Sequence, residues 1–378
     1  MVTLFWSAVL FIFYAYLGYP LLLMLLSLIK SRPVKKGDAF PSVSFIVTAY
    51  NEEARIREKL ENTMALDYPR NRLEIIVASD CSTDKTDAIV QAYESRRGRL
   101  VRAPQRNGKE AAQKLAVQAA SGEILVFSDV AAILQSDAVR NIIRNFADPT
   151  VGCVSSVDKI IDAAGKLSGE GAYVRYEMFL RELETRANTL VGLSGSFFAA
   201  RRTVCQNWQP ELQSDFNTLL NAVHLGLRGV SDPESIGYYK TIADETREYE
   251  RKVRTVLRGI AVFMKSLPML NPFRYGLFSW QLLSHKLCRW LVPFAMVAVF
   301  FCNATLISSP FYLGLFALQC AGYAVALEAF WTNRLSQNPV LKLPTYLVIV
   351  NLSILDAWFR YCRGERVVRW NPSQREAS

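Results

Sequence analysis

Ser42-Val-Ser-Phe-Ile-Val-Thr-Ala-Tyr-Asn-Glu-Glu53 and Glu74-Ile-Ile-Val-Ala-Ser-Asp-Cys-Ser-Thr-Asp84 decide how this chain of 378 residues folds. Each is an apolar run of strand length that ends in small polar and acidic residues and leads into a helix-period pattern. In an open α/β sheet, ligands gather where the strands' carboxyl ends open into loops. Two such strands side by side therefore predict a nucleotide pocket with Asp80 and Asp84 near it. Outward from this pair the chain alternates, with strands over 43–48, 73–78, 99–102 and 123–128 and helices over 52–66, 84–95 and 108–120. Such alternation predicts a mainly parallel sheet with helices on both faces. Beyond 150 the order loosens into a strand at 151–157, a charged helix at 171–189, a Gly/Ser-rich stretch at 192–202 and a helix at 214–226.

The apolar residues, 51% of the chain, concentrate at its two ends. Residues 4–29 carry no charge, and about 20 apolar residues suffice to span a bilayer. Lys30, Arg32, Lys35 and Lys36 follow before the first acid, Asp38. By the positive-inside rule that flank keeps the following domain in the cytoplasm. A cleavable signal peptide fits less well, because the run is too long and its positive residues lie on the wrong side. Residues 1–30 thus read as a transmembrane helix and 31–41 as a linker. Residues 266–289, with Pro272-Phe-Arg-Tyr-Gly-Leu-Phe-Ser-Trp280, predict interfacial helices. Two apolar spans, 290–308 and 311–330, predict a transmembrane hairpin. The run 343–359 is shorter and holds Asn351 and Asp356; crossing would put Arg360, Arg363, Arg366 and Arg369 outside. Residues 331–378 therefore read as a re-entrant or interfacial helix with a cytoplasmic tail. The expectation is a multi-pass protein of the cell's inner (plasma) membrane.

The net charge of +10 suits contact with anionic membrane lipids. Nucleic acid is not an expected partner, since the basic residues are scattered or interleaved with acids. Seven cysteines stand singly without a CxxC pair, and there are only two histidines. A zinc site is not expected on that count, and the thiols read as reduced packing residues.

Tyr-Asn-Glu-Glu after one strand and Asp-Cys-Ser-Thr-Asp after the next resembles the start of a family 2 glycosyltransferase with a GT-A fold. The likeness runs from about 42 to 300. It is to the membrane-bound bacterial polysaccharide type, similar to the catalytic subunits of cellulose and poly-N-acetylglucosamine synthases. The resemblance implies an α/β GT-A domain (Rossmann-like, mainly parallel sheet) over 42–265, cytoplasmic, with N- and C-terminal transmembrane helices. It implies joining a nucleotide-sugar donor to an acceptor, with residues 150–245 on the acceptor side.

That chemistry needs a grip on the nucleotide diphosphate, a base for the acceptor hydroxyl and neutralisation of the leaving phosphate. By the resemblance, Ala49, Asn51, Glu52 and Asp80 line the base and ribose. On the residues alone, Asp80 and Asp84 could equally cap the next helix. The resemblance assigns binding to Asp80 and leaves capping to Asp84. Arg106-Asn-Gly-Lys-Glu-Ala-Ala112 resembles the family's Gly-Lys segment opening a helix, where free N–H groups and a lysine attract phosphate. Lys109 is the expected phosphate contact; the alternative is a solvated lysine.

Phe127-Ser-Asp-Val-Ala131 occupies the place of the family's DxD, whose two aspartates serve ribose and a divalent metal (Mg2+ or Mn2+). Asp129 is present, but Ala131 replaces the second acid. Asp129 could hold the metal alone with waters and phosphate oxygens, or hold it weakly, or arginine could supply the charge. Gln213-Ser-Asp-Phe216 stands where the family has its acidic helix start. Asp215 is the expected general base, and N-capping by Ser214 with Asp215 in the first turn is the local alternative.

Arg247, Arg251, Arg254 and Arg258 fall on one helical stripe. Arg251 and Arg254 are the expected diphosphate contacts; the other reading rests the stripe on lipid headgroups. The family's QxxRW reads Arg251-Lys-Val-Arg-Thr255 here, so the tryptophan that stacks on acceptor sugar in processive synthases is lost. By analogy, Trp370 reaches back toward the catalytic domain. The expected activity is inverting transfer of a hexose, from a UDP- rather than a GDP-linked donor. Its acceptor would be a lipid-linked or growing polysaccharide, alongside other polysaccharide-assembly proteins. The alternatives are a polyprenyl-phosphate monosaccharide transferase and a non-catalytic scaffold subunit.

Overall fold

The computed structural model describes residues 1–161, 172–240, 245–332 and 339–367, so Trp370 and Arg369 lie outside the described residues. The chain divides into two units: Lys30–Ile242 with Val367–Ser378, and Met1–Ile29 with Ala243–Arg366.

In the first unit, the described strands form one sheet. They are β1 (Val43–Ala49), β2 (Leu73–Ser79), β3 (Gly98–Arg102), β4 (Ile124–Asp129), β5 (Ile133–Leu134), β6 (Val151–Ile161), β7 (Phe197–Arg201) and β8 (Arg228–Lys240). Their order is β3-β2-β1-β4-β7-β6-β8-β5. The β3-β2-β1-β4 half is parallel throughout, as the alternating pattern predicts. The other half is mixed. β7 runs antiparallel to both β4 and β6, β6 pairs with β8 in parallel, and β5 is antiparallel to β8. The sheet as a whole is mixed, with four of its seven strand pairings parallel.

Because successive strand residues point to opposite faces, the central strands feed two cores. Val43, Phe45 and Val47 pack with Ile75, Val77 and Val126 under the helix Ile56–Met64, through Ile56 and Leu60. Ile46, Ile76, Leu125 and Phe127 pack on the other face under the helices Lys109–Ala119 and Ser214–His224, through Ala112, Ala116 and Leu219. Phe127 stacks between Phe198 and Trp208 at centroid separations of 4.8 and 5.0 Å. These near-continuous apolar runs are what strands buried on both faces require.

The register fixes where the loops emerge. Ala49 is level with Ser79, and Thr48 with Asp129, so three carboxyl ends open at one edge. The helix after β1 begins at Ile56 rather than near 52, because Asn51 takes a left-handed conformation, φ 52°.

The second unit is helical. Among the described residues, three helices are long and apolar enough to cross a membrane: Val2–Ile29, Leu277–Ala304 and Pro310–Glu328. Leu277–Ala304 is continuous, so the second half of the stretch expected at the interface is the start of a membrane-length helix. Ala15, Cys288 and Val292 form a buried contact between the first two of these helices. Tyr14 Oη and Ser284 Oγ hydrogen-bond at 2.7 Å, and Trp280 Nε1 donates to Tyr14 Oη. The helix Pro339–Cys362 packs along Glu245–Lys265. Asn351 donates to Tyr16 Oη, and Asp356 pairs with Arg360, which also pairs with Glu250.

Candidate active site

The loops after β1 and β2 are tied to each other. Asp80 N–H donates to the Ala49 carbonyl at 2.9 Å, and Thr83 N–H donates to Asn51 Oδ1 at 2.8 Å. Asp84 accepts from Thr86 N–H at 2.9 Å and Glu53 N–H at 3.0 Å, while the N-cap of the helix Thr86–Gln91 is Lys85 rather than Asp84. Asp80 does something the sequence did not suggest. Its buried carboxylate accepts from the backbone N–H of Asn107 (2.9 Å) and of Gly108 (2.9 Å to Oδ2), locking the loop that opens the Lys109 helix. Gly108 caps that helix at φ 97°, ψ 169°, a conformation essentially reserved for glycine. On this loop the Arg106 guanidinium lies over the Tyr50 ring, 3.8 Å from its centroid.

Lys109 is not a solvated side chain. It is buried, with Nζ donating to Asp129 Oδ1 at 2.5 Å and to the Gly195 carbonyl at 2.9 Å. Burial disfavours the ammonium, but Asp129, Glu110 and Asp215 more than offset it, and the pKa rises above the ordinary lysine value. Glu52 is buried and paired with Arg55 at 2.7 Å. Burial pushes its carboxyl up against the pull of Arg55, with Asp129 and Asp84 adding to the rise.

Pairing of β4 with β7 brings in the Gly/Ser-rich stretch: Asp129 N–H donates to the Ser196 carbonyl at 2.9 Å. Asp158 on β6 clamps this turn, accepting from Ser194 Oγ (2.7 Å) and Ser196 Oγ (2.6 Å). Burial raises its carboxyl, opposed by those hydroxyls and Arg181. Gly195, between the two serines, abuts Asp215. A Cβ there would lie 2.8 Å from Asp215 Oδ2. Asp215 is buried in the first turn of its helix, where the dipole favours a carboxylate, and Gln213 Nε2 donates to it at 3.2 Å. Gln213, not Ser214, is the N-cap, and it makes no side-chain capping bond.

Asp80, Lys109, Asp129 and Asp215 are thus linked through direct bonds and the Gly195 turn. Gly195→Ala is expected to leave the fold intact while lowering turnover about 100-fold, by displacing the Asp215 carboxylate. Steady-state rates beside a thermal melt check this; unchanged rates would show that the carboxylate tolerates the shift. Arg251 and Arg254 belong to the helix Glu245–Lys265 of the helical unit. There Arg251 is held by Glu248 through two 2.7 Å bonds, and burial with Arg258 and Arg251 nearby lowers the Arg254 pKa.

Sequence reasoning missed Lys59. It is fully buried, donating to Ser128 Oγ (2.8 Å) and the Ala132 carbonyl (2.6 Å) from beneath the Asp129 loop. The signal was present, since Ile56, Lys59, Leu60 and Thr63 follow the i, i+3, i+4, i+7 pattern of a core-facing stripe. Burial lowers the Lys59 pKa to about 7, against the pull of Asp129. Between that value and the unfolded value near 10.4, the unfolded chain binds the extra proton, so stability rises with pH across the window. Below pH 7 the penalty is constant. Melting of the detergent-solubilised protein from pH 7 to 10 is expected to show this rise, and Lys59→Met to flatten it. An identical slope in the variant would remove Lys59 as its source.

The donor set fits a divalent cation poorly. Asp129 offers one carboxylate already paired to an ammonium, and position 131 is alanine. Among the described residues no group of three or more His, Cys, Asp or Glu side chains is placed to hold a metal ion.

Residues 44–208 match the family model described as Glycosyl transferase family 2. A beta-monoglucosyldiacylglycerol synthase from Synechocystis is 25% identical over 342 residues, covering 84% of this chain and 70% of that protein. A poly-beta-1,6-N-acetyl-D-glucosamine synthase from Staphylococcus aureus is 28% identical over 175 residues, covering 45% of this chain and 42% of that one. Among solved structures, a mannosyltransferase from Pyrobaculum calidifontis in complex with GDP-Man and Mn2+ superposes with a TM-score of 0.68. It is 25% identical, and the match covers 93% of this chain and 99% of that one. With the ordered loops of a GT-A sheet, these likenesses identify a family 2 glycosyltransferase domain over residues 44–208.

Proposed function

We propose that the protein transfers a hexose from a nucleotide-sugar, with inversion, to a lipid or lipid-linked acceptor at the membrane surface. The observation that carries this reading is the linkage of Asp80, Lys109, Asp129 and Asp215 at the carboxyl ends of adjacent strands. The loops of Ala49, Asn51, Glu52 and Asp80 would receive the nucleotide. Lys109 would meet the diphosphate, and Arg251 and Arg254 are the further candidates for it. Asp215 would accept the proton of the acceptor hydroxyl as its oxygen bonds to the anomeric carbon. The bond from that carbon to the diphosphate breaks, and its electron pair leaves on phosphate oxygen.

The related mannosyltransferase is held with GDP-Man and Mn2+. That supports a divalent cation with the donor as the default expectation, which the residues around Asp129 oppose. A lipid acceptor draws support from the glucosyldiacylglycerol synthase, the longer of the two sequence matches, and from the three membrane-length helices. Thr255 in place of the stacking tryptophan argues for single rather than processive addition. The likeness to the poly-N-acetylglucosamine synthase keeps growing polysaccharide as the second acceptor class. The basic flank after residue 29 supports a catalytic domain in the cytoplasm, with anchorage in the inner membrane.

Purified protein in detergent, given UDP- and GDP-hexoses with diacylglycerol, polyprenyl phosphate or an oligosaccharide, tests the reading. Nucleotide release from one donor with transfer to a lipid is expected. Transfer to the oligosaccharide alone would replace the acceptor, and no nucleotide binding would sink the proposal.

A further inference from the structure

Asp129 stands in a loop gripped by two lysines. From the cluster side, Lys109 Nζ lies 2.5 Å from Asp129 Oδ1 and 2.9 Å from the Gly195 carbonyl. From the buried side, Lys59 Nζ holds the same loop at Ser128 Oγ and the Ala132 carbonyl. The position that would complete a pair of acids is Ala131. Two carboxylates with a divalent cation sum to no net charge; one carboxylate with one ammonium does so too. A single acid carrying the Lys109 ammonium is therefore neutral without a metal.

We infer that Lys109, in place of a divalent cation, neutralises the diphosphate of the donor, so that this chain binds its nucleotide without metal. This rests on the nucleotide-sugar reading above. Three features of the site support it. First, a cation approaching Asp129 meets a carboxylate whose Oδ1 is already paired with a buried ammonium, which repels it. Second, when a diphosphate arrives, Lys109 can exchange its neutral partner, the Gly195 carbonyl, for a charged phosphate oxygen, the stronger hydrogen bond. Third, the ammonium stays in register because the Asp80 carboxylate fixes Asn107 and Gly108, the residues leading into its helix. The Lys59 contacts keep the Asp129 loop from moving to meet a metal.

The test is titration of the full-length protein in detergent with UDP and with GDP, in EDTA and again in excess Mn2+. Whichever nucleotide binds is expected to do so with nearly the same affinity in both. The Mn2+ paramagnetic resonance signal should show no protein-bound ion beyond that carried by the nucleotide alone. Tightening by Mn2+ of about tenfold or more, roughly 1.4 kcal/mol, would overturn the inference while leaving the nucleotide-sugar reading intact. Lys109→Met should lose at least about tenfold of the affinity in EDTA, the cost of removing one charged hydrogen bond. Unchanged affinity in that variant would also overturn it. If Lys109→Met does not fold, the wild-type comparison decides alone. Binding of neither UDP nor GDP would remove the nucleotide-sugar reading and this inference together.

Discussion

Asp215→Asn is expected to lower sugar transfer by about 10²- to 10⁴-fold, the range a positioned general base supplies, with nucleotide affinity nearly unchanged. The amide keeps the shape of the carboxylate and can still accept from Gln213 Nε2, so packing against Gly195 survives. What it loses is the capacity to take the acceptor's proton. It also removes one of the carboxylates that hold Lys109 charged, after Asp129 and Glu110. Because those two remain, the ammonium is expected to persist and the donor to bind. Transfer rates, with nucleotide affinity measured by calorimetry on the same preparation, separate the two effects. Turnover within a factor of a few of wild type would exclude Asp215 as the base. Loss of nucleotide binding would instead make it part of the donor pocket.

Asp80→Ala is expected to damage stability and donor binding together. The Asp80 carboxylate receives the N–H groups of Asn107 and Gly108 in a buried setting. Each amide left unpaired costs about 1–3 kcal/mol. The loop carrying Arg106 and leading to Lys109 would then lose its anchor, and nucleotide affinity should fall more than about tenfold. Asp80→Asn, which keeps one acceptor oxygen, should fall between the two. The unfolding midpoint and a nucleotide titration of both variants check this. An Asp80→Ala protein that melts and binds as wild type does would show that Gly108 and the helix start hold the loop unaided.

The parallel half of the sheet could be read from the chain because local pattern and tertiary environment agree there. β1, β2 and β4 are apolar on both faces, and each ends in residues that prefer turns. The mixed half could not. β8 runs through Asp232-Pro233-Glu234, a turn-like composition that falls at the register shift between Ser231 and Ile236, and it counts as one strand because the residues on either side pair with β6. β7 hides in the Gly/Ser-rich stretch for the same reason, and it is the strand that carries Gly195 and Ser196 to Asp129.

For the site, the sequence by itself determined which groups are present. Asp80, Lys109, Asp129 and Asp215 stand at the starts of helices or the ends of strands, positions that local rules can locate. Ala131 is likewise visible only as an identity at one place. The tertiary structure alone decided what those groups are bonded to. Asp80 and the Asn107–Gly108 amides lie 27 and 28 residues apart in the chain, Lys109 and the Gly195 carbonyl 86. Lys59 Nζ reaches Ser128 across 69. Hydrogen bonds act over about 3 Å whatever the separation along the chain. Periodicity reports only which face a residue occupies, while strand order and register set which charges meet.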